Sequence, residues 1–290
     1  MRLAAAATIV ALLAAASPTS PRSGTNDTVD TKTLDLSFGV YQSDKATVMY
    51  RSFSPVLEAI QGDMKARLGR EVDIQLRIYK TYDEAIAAIA RGDVDFVRFG
   101  PAPYITAKEM EPGLRLIAIE TEDGKRRFRG VIVAGEKSPV RTVADLKGRK
   151  FAFGDKNSTI GRYLSQAELV RAGIRAKDLA SFEYLERHDR VAKAVAIGDF
   201  DAGAVKIETF EKEKANGALR VIATFDNVTK PWIARAGLPD DVVKAIGETL
   251  CALKDPAVLK ELGVSGFEPV DDSEYEFVRQ GMVLARQFEE

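Results

Sequence analysis

Two hydroxyls, a side-chain amide and a small residue meet at one junction of this chain. The segment GDKNSTIGRYLSQAEL, 154–169, follows a short apolar run and precedes a helical pattern. Asn157, Ser158 and Thr159 stand where a helix N-cap is expected, since their side-chain oxygens can accept from the first unpaired amides. Gly161 keeps the first turn small. Hydroxyls beside free helix-start amides make a compact cradle for an anion. Ordinary helix capping uses the same residues, and the segment alone does not separate the two roles. The GxxxxGK[ST] spacing that holds nucleotide phosphates is absent from it.

Other junctions carry chemistry of the same kind. In VDFVRFGPAPYI, 94–105, a strand is expected to end at Phe99, and Gly100 lets backbone approach a ligand closely. The helix behind it would present Ala102, Pro103 and Tyr104. Arg98, inside that apolar strand, either pairs with an acid, reaches an anionic ligand or snorkels to solvent. The stretch GVYQSDKATVMYRSF, 39–53, reads as a βα loop longer than usual. Its Tyr41, Gln42, Ser43 and Tyr50 could wall a cleft, the tyrosines giving stacking area and a phenolic hydrogen bond. His188 could donate to an anion, and Asp189 could hold a ligand ammonium or cap its own helix. Lys206 ends the run AGAVK, where it either adds positive charge to the anion site or serves solubility at an edge. Trp232 suits a cleft aromatic or hinge packing equally.

Several function classes are disfavoured. One histidine cannot build a multi-histidine metal cluster. A Ser158–His188–Asp189 triad would orient its adjacent histidine and aspartate poorly, and no GxSxG elbow exists. The expectation is binding without catalysis, metal or cofactor. With 42 basic against 43 acidic residues, no excess positive charge is available for a nucleic-acid surface. Cys251 is the single cysteine and can form no disulfide within the chain.

These junctions need elements to hold them. The opening MRLAAAATIVALLAAASPTS has the positive start, short apolar run and small residues of a secretory signal, residues 1–20. A polar leader, 21–33, follows. From residue 34, β-like runs alternate with amphipathic helical stretches, and from Pro239 the pattern is helical. Two βα blocks of similar size imply two α/β lobes, each a mostly parallel sheet flanked by helices. Lobe 1 would comprise 34–127 and 229–290, lobe 2 would comprise 128–228, and the crossings near 125–131 and 223–232 would form a hinge. A cleft lined by strand ends and helix N-termini follows from that arrangement.

The segments FGVYQSD (38–44), GDVDFVRFGPAPY (92–104), GDKNSTIGRYL (154–164), RHDRVAKAVAIGDFDAGAV (187–205) and KPWIARAGLP (230–239) together resemble the PhnD-like family. These are substrate-binding proteins of phosphate, phosphite and phosphonate ABC transporters. The resemblance runs from about Leu34 to Glu268. It implies a type II periplasmic-binding fold, closure of two lobes over a small oxyanion, and an anion seat at Ser158 and Thr159. The family's tyrosine position after the third strand reads Phe99 here, which removes one hydroxyl. Asp189 stands where a glutamate is frequent, and Lys206 where an acid or Asn is frequent. A lysine there suits phosphate, phosphite or a simple phosphonate better than an ammonium-bearing ligand. The implied partner is a membrane ABC permease, with a monomeric binding protein in the periplasm. A sensor kinase as the partner, or a sulfonate, nitrate or thiamine precursor as the ligand, are the alternatives.

Overall fold

Runs of Val, Ile, Leu and Phe build two separate sheets, and the chain passes between them at two crossings. The structure, a computed structural model, describes residues 33–214 and 217–290. The expected signal segment, and the leader as far as residue 32, lie outside the described residues. In chain order the first block is β1 (Leu34–Tyr41), α1 (Ala46–Leu68), β2 (Val72–Tyr79), α2 (Tyr82–Arg91), β3 (Phe96–Arg98), α3 (Pro101–Met110) and β4 (Arg115–Thr121). The second begins with β5 (Arg127–Gly135) and β6 (Lys150–Phe153). A π-helical turn (Thr159–Leu164) then runs into α4 (Ser165–Arg171). It continues with β7 (Ser181–Tyr184), α5 (His188–Ile197), β8 (Ala202–Lys206), α6 (Ile207–Lys214) and β9 (Leu219–Val228). The chain returns through β10 (Pro231–Ala234), α7 (Asp240–Ala252), α8 (Pro256–Leu262), β11 (Gly266–Glu268) and α9 (Glu276–Arg286).

The first sheet has the order β11-β4-β10-β3-β1-β2 and the second β7-β6-β8-β5-β9. In the first, β1 to β4 share one direction while β10 and β11 oppose it. In the second, only β5 is reversed. The fold is therefore two-lobed α/β with predominantly codirectional strands, although β10 and β5 each place antiparallel pairs at a sheet centre. Parallel strands joined by helices put strand C-termini and helix N-termini on one side. Here those ends face the space between the sheets.

The cores follow the apolar pattern. Phe38 packs on Phe96 and stacks on Trp232, at centroid distances of 4.9 and 4.6 Å. Trp232 is fully buried in β10, which makes it core packing of the first sheet and not a cleft wall. The short β10 and β11 had no strand signal in the sequence: four residues opening with Pro, and three after a helix, are too few for a period. Helix α1 starts at Ala46, inside the stretch expected to be a long βα loop. Met49, Phe53, Val56, Leu57, Ile60 and Met64 keep one buried face through the proline. The stretch 39–53 is consequently a short connection followed by helix.

Helix α9 touches both lobes. Tyr275 and Met282 belong to the core beside α3, whereas Phe288 packs against Phe153 and Phe182 at 5.5 and 5.4 Å. Ala176 donates its amide to the Phe288 carbonyl at 2.7 Å.

One arginine fixes the loop after β5. Arg220 donates to the carbonyls of Gly135, Glu136, Ser138 and Val140. No other side chain replaces four such bonds, so Arg220→Ala is expected to cost about 2 kcal/mol. That corresponds to a fall in Tm of roughly 4–8 °C. An unchanged thermal melt would remove this loop-anchoring role.

Candidate functional site

The strand ends and helix starts of the two lobes enclose a cavity of about 470 Å³. At one end the chain builds a hydroxyl-rich wall. Ser158 caps the π-helical turn by accepting from the Gly161 amide at 2.9 Å. Its carbonyl accepts from both Arg162 and Tyr163, the widened pairing that defines the π turn. The amides of Thr159 and Ile160 have no acceptor among the described residues. This turn is possible because of two glycines. A Cβ on Gly161 would lie 2.8 Å from the Gly154 Cα and 2.9 Å from the Ser158 Oγ. Only hydrogen at that position lets the end of β6 meet the helix start.

Helix α3 offers less than its position suggests. Pro101 and Pro103 have no amide hydrogen, and the Ala102 amide is spent on the Thr159 Oγ1 at 2.9 Å. This bond joins the lobes, as does Asn157 Nδ2 to Asp83 at 2.7 Å. The Thr159 hydroxyl, accepting from Ala102, keeps its own proton for donation. Gly100 donates its amide to the Tyr41 hydroxyl at 2.8 Å. Tyr41 and Tyr82 stack at 3.5 Å beside Ser158. Burial raises both phenols above the ordinary tyrosine value, so both remain protonated donors.

Charge concentrates toward the crossings. Arg98 lines the cavity floor but is held by Glu120 through two bonds of 2.8 and 2.9 Å. Lys230 pairs with Glu122 at 3.1 Å. Lys206 lines the same cavity from the end of β8, and its ammonium forms no hydrogen bond or ion pair among the described residues. Burial and the neighbouring Lys230 lower its ammonium below the ordinary lysine value. His188 opens α5. Burial, then Lys206, press its imidazole down to about 3, so the ring is neutral.

Of the residues singled out in the sequence, Tyr41, Ser43, Arg98, Gly100, Ser158, Thr159, His188 and Lys206 line this cavity. The others stand elsewhere. Phe99 is buried behind Tyr41 at 5.5 Å. Ala102 and Gly161 contribute backbone just behind the wall. Gln42 donates its amide to Tyr79. Tyr50 is 64% exposed on α1. Asn157 is taken by Asp83, and Asp189 is held by Arg187 at 2.9 and 3.0 Å. Tyr104 turns away to donate to Asp272 at 2.5 Å. The cavity also includes Tyr82, Glu122, Glu208, Asn227 and Lys230, which sequence reading did not select. Asn227 had the one available signal, a polar residue buried inside an apolar run. A larger recess of about 980 Å³ shares Glu122, Phe128 and Glu208 with it, but none of Ser158, Thr159, His188 and Lys206 lines that recess.

The arrangement can hold an anion. Amides and hydroxyls stand at one end, an unpaired lysine at the side, and no metal-ligating cluster occurs among the described residues. Residues 38–275 match the family model described as ABC transporter, phosphonate, periplasmic substrate-binding protein. A curated relative from Prochlorococcus marinus, "Probable ABC transporter phosphite binding protein PhnD1", is 26% identical over 187 residues, 59% of this chain and 62% of the relative. The solved structure of PhnD1 from Prochlorococcus marinus in complex with methylphosphonate aligns with a TM-score of 0.77 at 20% identity. That alignment covers 87% of this chain and 98% of the other. The periplasmic aliphatic sulphonate binding protein SsuA from Escherichia coli aligns with a TM-score of 0.54 at 20% identity, covering 87% and 86%.

Proposed function

This chain belongs to the family of periplasmic substrate-binding proteins of phosphonate ABC transporters, and on that premise we propose that it captures a small oxyanion by lobe closure. The ligand is phosphate, phosphite or a simple phosphonate, and the captured form is delivered to a membrane permease. The observation that carries this reading is Lys206, a half-buried cation without a partner among the described residues, which lines the same cavity as Thr159 and Ile160 with their free amides. A charge desolvated and left unpaired is costly unless a counter-ion arrives.

The lobes comprise 34–127 with 229–290, and 128–228, and they rotate about the crossings. In the open form the hydroxyl wall and the Tyr41–Gly100 face separate. The ligand bridges them, water leaves, and the charged hydrogen bonds strengthen. The Ala102–Thr159 and Asn157–Asp83 bonds latch the closed form. Export by the segment 1–20 places the protein in the periplasm, where it acts as a monomer without catalysis.

Isothermal titration calorimetry with phosphate, phosphite and methylphosphonate tests the reading, and stoichiometric binding of at least one is the expected result. Replacing Ser158 and Thr159 together by alanine should weaken that binding at least tenfold, about 1.4 kcal/mol. Unchanged affinity in the double variant would remove the helix-start seat from the site.

A further inference from the structure

Helix α9 stands behind both walls of the cavity. Val278, Gly281, Met282 and Ala285 recur at helical spacing and form its buried face. Toward the first lobe, Val278 and Met282 share an apolar cluster with Ala102 and Tyr104 of α3. Tyr104 also meets the Tyr275 ring at 4.9 Å, and Arg279 holds Asp272, the partner of the Tyr104 hydroxyl, at 2.6 and 2.8 Å. Toward the second lobe, Phe288, just past the helix end, is fully buried in the cluster that contains Ile160 and Leu164 of the π-helical turn. Arg162 of the same turn donates to the Lys156 carbonyl at 2.9 Å and reaches Glu289 at 3.4 Å. One helix is thus packed behind both partners of the Ala102–Thr159 bond that joins the lobes.

Glycine inside a helix is less stable than alanine, yet α9 has Gly281 at its centre. The neighbour explains the residue. A Cβ at 281 would lie 2.5 Å from Leu164 Cδ2, well inside van der Waals contact. Leu164 ends the π-helical turn and is buried in the second-lobe core, so it yields only by moving its neighbours or the turn. The other end of that turn carries the free amides of Thr159 and Ile160. Resting on the oxyanion reading above, we infer that α9 is a third connection between the lobes and positions the anion seat. Gly281 sets how closely the π-helical turn approaches α3, and Phe288 moors the turn to the helix. Neither residue lines the cavity, so both act on the anion through the turn.

The test is calorimetric titration with phosphate, phosphite and methylphosphonate, joined to amide NMR of the ligand-free protein. Gly281→Ala should weaken binding of each anion that the wild type takes by at least tenfold, and should shift the Thr159 and Ile160 amide signals. Leu164→Ala removes the atoms that the new methyl meets. Combined with Gly281→Ala, it should bring affinity back to within threefold of Leu164→Ala alone, and the two signals with it. Phe288→Leu, which keeps an apolar side chain in the core, should weaken binding at least threefold and shift the same signals. Wild-type affinity in Gly281→Ala would overturn the positioning role. So would a double variant no tighter than Gly281→Ala, because a generally loosened fold is not rescued by losing more of the core. Should Gly281→Ala not fold, unchanged affinity with unmoved signals in Phe288→Leu would overturn it. A wild type that binds none of the three anions would overturn oxyanion capture alone, and the Thr159 and Ile160 signals would still decide whether α9 places the turn.

Discussion

Lys206→Met should weaken oxyanion binding about a hundredfold, about 2.7 kcal/mol, while the ligand-free protein melts no lower than before. The two effects have one cause. The Lys206 ammonium forms no hydrogen bond or ion pair among the described residues, and burial with Lys230 nearby lowers it. A group whose folded value is depressed binds fewer protons in the folded state than in the unfolded one. Stability of the ligand-free protein therefore rises with pH as the ordinary lysine value of 10.5 is approached from below. Methionine keeps the volume, discards the desolvated charge, and abolishes that rise. Bound anion reverses the sign, because it supplies the missing counter-charge. Calorimetry and thermal melts of the two proteins, with and without methylphosphonate, check both arms. Equal affinity would show that the anion sits away from Lys206, and a clearly lowered ligand-free melt would show that the lysine holds the fold.

The parts of the site that could be read from the sequence are those whose function is local. Ser158, Thr159 and Gly161 announce a helix start, because capping is a matter of three or four consecutive residues. Gly100 announces a close approach, and the structure places the Tyr41 hydroxyl and Thr159 against it. Lys206 and His188 stand at a strand end and a helix start, where the βα pattern points them inward. What local pattern could not give is pairing between distant segments. Arg98 is withheld from the ligand by Glu120, 22 residues away. Asn157 and Asp189, plausible from their neighbours, are occupied by Asp83 and Arg187. Glu122, Asn227 and Lys230 come to the cavity because both crossings pass beside it, and a crossing has no periodicity to betray its inward side. The same limit hid β10. Its place between β3 and β4 depends on the chain returning from the second lobe, which four residues do not encode.

That return also buries a carboxylate on which stability depends. Glu120 is fully buried, binds Arg98 through both oxygens, and accepts from Trp232 Nε1 at 3.0 Å. Its backbone carbonyl accepts from the Thr229 hydroxyl across the crossings. Glu120→Ala should cost about 3–5 kcal/mol, because Arg98 and the Trp232 indole N–H are left buried without an acceptor. The expected fall in Tm is roughly 6–20 °C. Acid reproduces the effect in the wild type. Burial alone would raise the Glu120 carboxyl, but the Arg98 guanidinium together with Lys230 and the Trp232 N–H outweighs it, and the net shift is downward from 4.5. A carboxyl depressed in the folded state stabilises above its unfolded value, and the contribution fades as pH falls from 4.5 through the lower folded value. Glu120→Gln should flatten that part of the stability profile. Replacing both partners, Arg98→Met with Glu120→Met, should be less damaging than Glu120→Ala alone, since no charge is then stranded. A double variant at least as unstable as the single one would mean that the pair itself, and not the avoidance of an orphaned cation, holds the crossings together. If Arg98 instead reaches the anion, the double variant would lose ligand affinity as well, a loss that bidentate capture by Glu120 predicts should not occur.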